Sequence, residues 1–361
     1  MDVGPSQMEG HRVKSLLLSL FVCFAASGCS SFLKYEKADQ LKNNDEFTNA
    51  VKIQSVEESP APVPEVAPIV VASTKANKKN IPKVLPKKVV IKIKGKVKSI
   101  KEEVKTLIRQ PEIENSEGFA IGQRRPLVDP VHVGEIVTHS VTYMGLSAGE
   151  VKFKVEPYQI VNGRKSYTFA TELKTAGMFS NFYSVDDRVE TLVDYEDLTP
   201  RVFSLHVKES GQLREARSFF DNDKLIATYW EKKVTEKSGV EEKKLTWEIL
   251  PFSQNVYSAI FYMRMFKWEE GKEYSFRVAD DEQNIVFKGK AVRREEIDTD
   301  AGKFKAIVIK PEITVKGAFK PIGDIYFWLS DDDRKYVLRI ESKIKIGTLT
   351  SEAIKILPGK P

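Results

Sequence analysis

From Gly134 to the C-terminus, apolar residues recur at every second position, and that period limits the fold more than any other feature of the chain. Val137, His139, Val141 and Tyr143 share one strand face, and Val151, Phe153 and Val155 alternate with Lys152 and Lys154. Tyr167, Phe169, Thr171 and Leu173 follow after Asn162-Gly163, a two-residue hairpin signal. Then come Phe203, Leu205 and Val207, then Leu225, Ala227 and Tyr229, then Tyr274, Phe276 and Val278. The longest run is Tyr336, Leu338, Ile340, Ile344 and Ile346, set against Arg339, Glu341, Lys343 and Lys345. Side chains on a strand point alternately to opposite faces, so each run has one buried and one wetted face, as in antiparallel sheets. Only Ser253–Lys267 reads as a helix, with Ser253 as its cap and Val256, Tyr257, Ile260, Phe261 and Met263 as a broad apolar face. The expected fold is all-β: about twelve antiparallel strands in a large curled sheet or barrel-like domain, with one packed helix. A sheet of that size must curl or close to protect its edges.

This domain is expected over residues 128–361, and what precedes it differs in composition. Residues 59–68 read SPAPVPEVAP, and Pro82, Pro86, Pro111 and Pro126 continue the pattern. Proline at this density disfavours helix and sheet interiors, so residues 29–127 are expected to form a disordered Pro/Lys-rich tether. A coil of that length has a root-mean-square span of roughly 55 Å. The formal charge of +6 is concentrated here: Lys75–Arg109 holds 13 Lys/Arg against Glu102 and Glu103. The rest of the chain is therefore mildly acidic. Val89–Lys94 alternates like a strand, and Ser99–Arg109 has the cap and spacing of a short amphipathic helix. Lys87, Lys88, Lys92, Lys94, Lys96 and Lys98 are candidates for contact with anionic lipid, lipopolysaccharide or a cell-wall polymer. A solvated charged linker is the plainer reading. Nucleic acid is not an expected partner of an exported chain.

Residues 1–28 have the layout of a secretory signal. His11, Arg12 and Lys14 are basic, and Ser15–Ala26 is an apolar stretch too short to span a bilayer comfortably. Met8 is an alternative start. Ala26-Ser27-Gly28 supplies small residues before Cys29, as in a lipoprotein signal whose new N-terminal cysteine carries lipid. By resemblance to enteric sorting, Ser30 favours the outer membrane over the inner. Cys23 lies inside the signal, so the mature chain contains no disulfide pair, zinc knuckle or cysteine nucleophile other than Cys29.

An ordered set of short motifs carries a family resemblance. Val133-Gly134-Glu135 precedes Tyr143-Met144-Gly145-Leu146-Ser147-Ala148-Gly149-Glu150, then Gly177-Met178-Phe179, Asp186-Asp187-Arg188-Val189-Glu190 and Leu198-Thr199-Pro200. Tyr257-Ser258-Ala259-Ile260-Phe261-Tyr262-Met263-Arg264, Ala301-Gly302-Lys303-Phe304 and Trp328-Leu329-Ser330-Asp331-Asp332 follow. In this order they resemble the bacterial domain-of-unknown-function family numbered 3108. The resemblance implies an exported, all-β envelope protein, and brings neither an activity nor catalytic residues.

Catalytic patterns are sparse. Gly145-Leu146-Ser147-Ala148-Gly149 matches a nucleophile elbow, but strand patterns on both sides make it a hairpin turn. His139 lies on an apolar strand face and His206 opposite one; no HExxH, Walker A or GxGxxG pattern is present, so neither metal nor cofactor is expected. Asp331-Asp332-Asp333 and the acids Glu295, Glu296, Asp298 and Asp300 fall at turns. Met178, Phe179, Phe182 and Tyr183 crowd an irregular stretch after Gly177, as a core plug or as the lip of a lipid, glycan or peptide site. The expected function is that of a non-enzymatic lipoprotein, anchored in the outer membrane and facing the periplasm. Its β-domain would bind or scaffold an envelope lipid, glycan or protein partner. The alternative is a wall- or lipid-processing hydrolase using turn carboxylates. A deep cleft of converging acids with raised pKa would favour the enzyme, and an aromatic cavity the binder. The anchor is directly testable: a metabolic palmitate analogue should label the wild-type chain and spare Cys29→Ala, and equal labelling of both would refute lipidation.

Overall fold

The computed structural model describes residues 44–56, 119, 123–181, 183–315, 318–320, 324–344 and 347–360. Cys29, the six tract lysines Lys87–Lys98 and the signal lie outside these residues. The chain runs α1 (Asp45–Ala50), β1 (Ile53–Ser55), β2 (Val133–Tyr143), β3 (Leu146–Val161), β4 (Arg164–Thr175), β5 (Asp186–Asp194), β6 (Pro200–Glu209), β7 (Gln212–Asp221), β8 (Ile226–Thr235) and β9 (Gly239–Glu248). Then follow α2 (Val256–Tyr262), β10 (Glu273–Asp280), β11 (Gln283–Thr299), β12 (Gly302–Val315), β13 (Ala318–Lys320), β14 (Asp324–Ser330), β15 (Val337–Ile344) and β16 (Gly347–Lys360).

The strands form one antiparallel sheet in the order β10-β11-β12-β14-β15-β16-β2-β3-β4-β5-β6-β7-β8-β9, with β1 added to β3 and β13 to β12. Neighbours along the path are mostly hairpins. Met144-Gly145 and Asn162-Gly163 hold the paired positive φ angles of tight hairpin turns (50° and 80°, 49° and 81°). Ser147 therefore sits at the start of a strand, not on a nucleophile elbow.

The sheet curls but does not close by a ladder. Its two end strands meet at a seam instead. Gln254 N donates to Arg277 O (2.8 Å) and Gln254 O accepts from Ala279 N (2.7 Å). Asn284 Nδ2 donates to Glu248 O (3.0 Å), and Asn284 Oδ1 accepts from Leu250 N (3.2 Å). Lys243 pairs with Asp281 across the same gap (3.3 Å).

Helix α2 fills the interior beside this seam. Phe261 stacks on Phe169 (centroids 4.3 Å apart), and Tyr262 meets Phe266 and Phe276 edge-on. Inward residues of β2–β4, β10–β12 and β14–β16 pack around it as the main core. His139 is fully buried there, with Nδ1 bonded to Ser351 Oγ (2.9 Å) and Nε2 to Val337 O (2.8 Å). Burial lowers its pKa to about 4, so the ring is neutral.

At the C-terminal end of α2 the chain is clasped to the sheet. Arg264 and Glu135 are both almost wholly buried and bind through two contacts, 2.6 and 3.0 Å. Arg264 also donates to Pro130 O and Arg334 O, and Arg334 adds a second cation on Glu135 (2.7 Å).

Three expectations are corrected. The described residues hold sixteen strands where about twelve were expected, because β9 presents an exposed, charge-rich sequence and β1 and β13 have three residues each. The helix begins at Val256 and its cap is Asn255, not Ser253. Gln254 is held extended by its bonds to β10, so Ser253 cannot start a helix; its hydroxyl donates to Leu250 O instead. Finally, residues 44–56 and Phe119, assigned by the sequence to a disordered tether, belong to the folded domain. Helix α1 and β1 dock on the sheet, and Phe119 lies in the main core.

Glu135→Ala leaves Arg264 charged and uncompensated in the interior, so unfolding experiments should show a loss of about 3–5 kcal/mol. Lys174→Ala, which breaks the exposed pair with Asp186, should change stability by less than about 1 kcal/mol.

Candidate functional site

After β4 the chain turns at Gly177 (φ 63°) into a short 3-10 turn, Gly177–Asn181. This places two of the four expected site residues. Phe179 is half-buried against the main core, as a plug would be. Tyr183 donates its hydroxyl to Glu209 Oε2 (2.7 Å). The side chains of Met178 and Phe182 lie outside the described residues.

Glu209 leads to a set of polar groups on the inner face of β5–β10. Strand register identifies that face. Val189 opposite Leu205, Leu205 opposite Ala216 and Phe220 opposite Ala227 belong to a second apolar cluster inside the sheet. Asp187, Glu209, Arg214, Tyr229, Glu231 and Trp247 stand at the same parity. On β10, Asp280 continues the inward run of Phe276 and Val278, opposite Gln283. Helix α2 contributes Tyr257, which stacks on Phe203 (centroids 5.5 Å apart).

Electrostatics ties these groups together. Arg214 donates to Tyr229 Oη (2.9 Å) and pairs with Glu231. Asp187 shares a hydrogen bond with Glu209, and burial followed by that acidic neighbour raises its pKa. Asp280 is raised to about 7, first by burial and then by Asp281, against the pull of Arg214 and Lys243. The Tyr257 phenol is raised by burial and then by Asp280 and Asp187. Tyr257 thus feels both acids and Arg214. Trp247 Nε1, Asp280 Oδ2 and Gln283 Oε1 are buried and have no hydrogen-bond partner among the described residues. All three lie beside the seam, where β9 meets the β10–β11 hairpin. A buried polar atom left unpaired costs about 1–3 kcal/mol, so each of the three calls for a polar partner.

The turn acids sit elsewhere. Glu295 is held below the usual carboxylate range by Arg293 and Trp328. Asp332 Oδ1 accepts from Ser330 Oγ and from the backbone N–H groups of Arg334 and Lys335, closing the β14–β15 turn. Asp300 borders an open cleft of about 370 Å³ on the outer face, with Ser140, Thr142, Thr350 and Glu352. His206 pairs with Glu215 on the outer face. Among the described residues, no three His, Cys, Asp or Glu side chains gather closely enough to hold a metal ion.

A curled all-β sheet, plugged by one helix and polar at one end of its lumen, defines the class of protein. The chain belongs to the family described as Protein of unknown function (DUF3108), which matches residues 138–354. Among curated proteins, none matches the chain. Among solved structures it is similar to a beta-barrel-like protein of domain of unknown function DUF1849 from Brucella abortus. That match has 11% identity and a TM-score of 0.39, and covers 62% of this chain and 97% of that one. It is also similar to an inferred exported protein with YmcC-like fold from Bacteroides fragilis (10%, 0.29, 64% and 98%). An inferred lipoprotein from Parabacteroides distasonis gives 10%, 0.25, 62% and 95%.

Asp280 makes the domain's stability depend on pH. Between the unfolded value of 3.8 and the native value of about 7, the folded acid keeps a proton that the unfolded chain releases. Stability therefore falls as pH rises through that window and levels off above it. Asp280→Asn should be more stable than wild type by roughly 1–3 kcal/mol at pH 8, with the difference nearly gone at about pH 4. Denaturant unfolding at the two pH values checks this.

Proposed function

We propose that the chain is a lipoprotein of the cell envelope, anchored through Cys29 at the periplasmic face of the outer membrane, whose β-domain binds an envelope component in its lumen. The observation that carries this reading is the trio of partnerless buried atoms on Trp247, Asp280 and Gln283. An indole N–H donates, an amide oxygen accepts, and a protonated carboxyl does both. Phe203, Tyr229, Trp247 and Tyr257 add aromatic faces beside them. Such a mixture suits a hydroxyl-rich group on a glycan or a lipid headgroup better than a purely apolar chain.

One observation favours a second reading. Two carboxyls with raised pKa, Asp187 and Asp280, act on the same phenol, and a carboxyl that keeps its proton near neutrality is equipped for general acid catalysis. The hydrolase of this second reading would use these strand acids in place of the turn acids.

Native mass spectrometry of the full chain, extracted from its own envelope, separates the readings. The wild type should carry an added mass, and Trp247→Phe combined with Gln283→Leu should lose it at least about tenfold, the weight of two lost hydrogen bonds. A wild type that never carries a ligand overturns the binder. Consumption of wall polymer or phospholipid that disappears in Asp280→Asn would establish the hydrolase.

A further inference from the structure

Helix α1 and β1 make an apolar and polar joint with the outside of the sheet. Asn44 caps α1 by accepting from Phe47 N (3.0 Å). Phe47 is buried, edge-on to Trp230 with centroids 5.8 Å apart. Val51, Val161, Leu192 and Val202 complete the pocket, all nearly inaccessible to solvent. These strand residues alternate with the inward set, so the joint covers the outer wall of β3–β8. Glu46 accepts from Trp230 Nε1 (3.1 Å) and pairs with Lys244 on β9 (2.6 Å). At the other end, Asn162 N donates to Lys52 O (2.9 Å), Asn162 Oδ1 accepts from Lys52 N (2.8 Å), and β1 pairs Ile53 with Val161.

This joint changes what the N-terminal region does. Between Cys29 and the cap at Asn44 lie fourteen residues, 30–43. Even fully extended they reach no more than about 50 Å. The basic tract lies between Ser55, paired with Gln159 of β3, and Phe119, packed against Phe266. It joins two points of one folded body and adds no length between lipid and domain.

We infer that α1 and β1 form a latch that holds the domain close to the lipid surface carrying the Cys29 anchor, with the latch-bearing outer wall of β3–β9 turned toward that surface. Ile53 and Val56, exposed at the end of the latch, and Lys52 beside them are the groups it presents to the headgroups. The inference rests on the lipidation of Cys29 proposed above. On this reading the fourteen residues 30–43, not the long tract, set the distance between lipid and domain.

The test uses the full lipidated chain in vesicles of phosphatidylethanolamine and phosphatidylglycerol. With Cys29 acylated, an introduced cysteine gives a single label site of choice. A fluorophore is placed at Glu242→Cys on the latch-side wall or at Lys343→Cys on β15, and energy transfer to a headgroup-level acceptor is read. Transfer should be several-fold stronger from position 242 than from 343. It should fall and even out when about 40 Gly/Ser residues are inserted between Ser31 and Asn44, a change that leaves the domain intact. Phe47→Glu should have the same effect by releasing the latch. Equal transfer from the two positions in the unmodified chain overturns the inference, as does an asymmetry that survives the insertion. A chain that does not stay with the vesicles fails the anchor reading itself, and the latch with it.

Discussion

The fold depends most on the ion pair between Arg264 and Glu135. Each charge is buried, and Arg264 would not tolerate the interior without Glu135. The pair does more than cancel charge. Arg264 ends the helical segment that plugs the lumen, Glu135 lies at the start of β2, and Arg334 comes from the β14–β15 turn. Pro130 and Pro358 donate no N–H, and their carbonyls accept from these guanidinium groups. Plug, first long strand, turn and last strand are thus fixed at one point. A hydrophobic substitute could pack there, but it would not fix the direction of four separate segments.

What the clasp holds is a sheet that stops short of a barrel. The end strands β9 and β10 do not share a ladder. Gln254, after β9, and Asn284, on β11, bridge the gap with two hydrogen bonds each, and Gln254 Nε2 also donates to Leu198 O. That geometry keeps the segment before α2 extended. The main core uses the rest of the interior, so the space next to the seam is lined by the polar ends of β5–β10. The candidate site goes with incomplete closure: Trp247 on β9 and Asp280 and Gln283 at the β10–β11 turn face inward where no ladder joins the two ends of the sheet.

Much of this was legible in the sequence, for a physical reason. Alternation exposes any strand with one wet and one dry face, so β2, β3, β4 and β15 were evident, as was the Asn162-Gly163 turn; the hairpin expected at Gly145–Gly149 turns earlier, at Met144-Gly145. The signal fails where burial is lost or shared. Strand β9 carries charges on both faces and looks like a solvated tail. Phe47 and Val51 were invisible because a single turn of helix contributes two apolar residues to a pocket made by the opposite face of the sheet. Tyr183 drew attention for its crowding after Gly177, and the structure shows its hydroxyl donating to Glu209. Asp280 was overlooked although its signal is plain: it continues the apolar register of Tyr274, Phe276 and Val278. A charged residue in line with a buried face calls for a partner, and sequence alone does not show which strand supplies one. The meeting of Asp187, Arg214, Tyr257 and Asp280 depends on the curl that brings β5, β7, α2 and β10 together.

The central claim is that the lumen at the seam is a binding site. A crystal structure of the full chain purified from its native envelope tests it most directly. The account predicts non-water density bonded to Trp247 Nε1, Asp280 and Gln283. A lumen in which ordered water alone satisfies those three groups would contradict it.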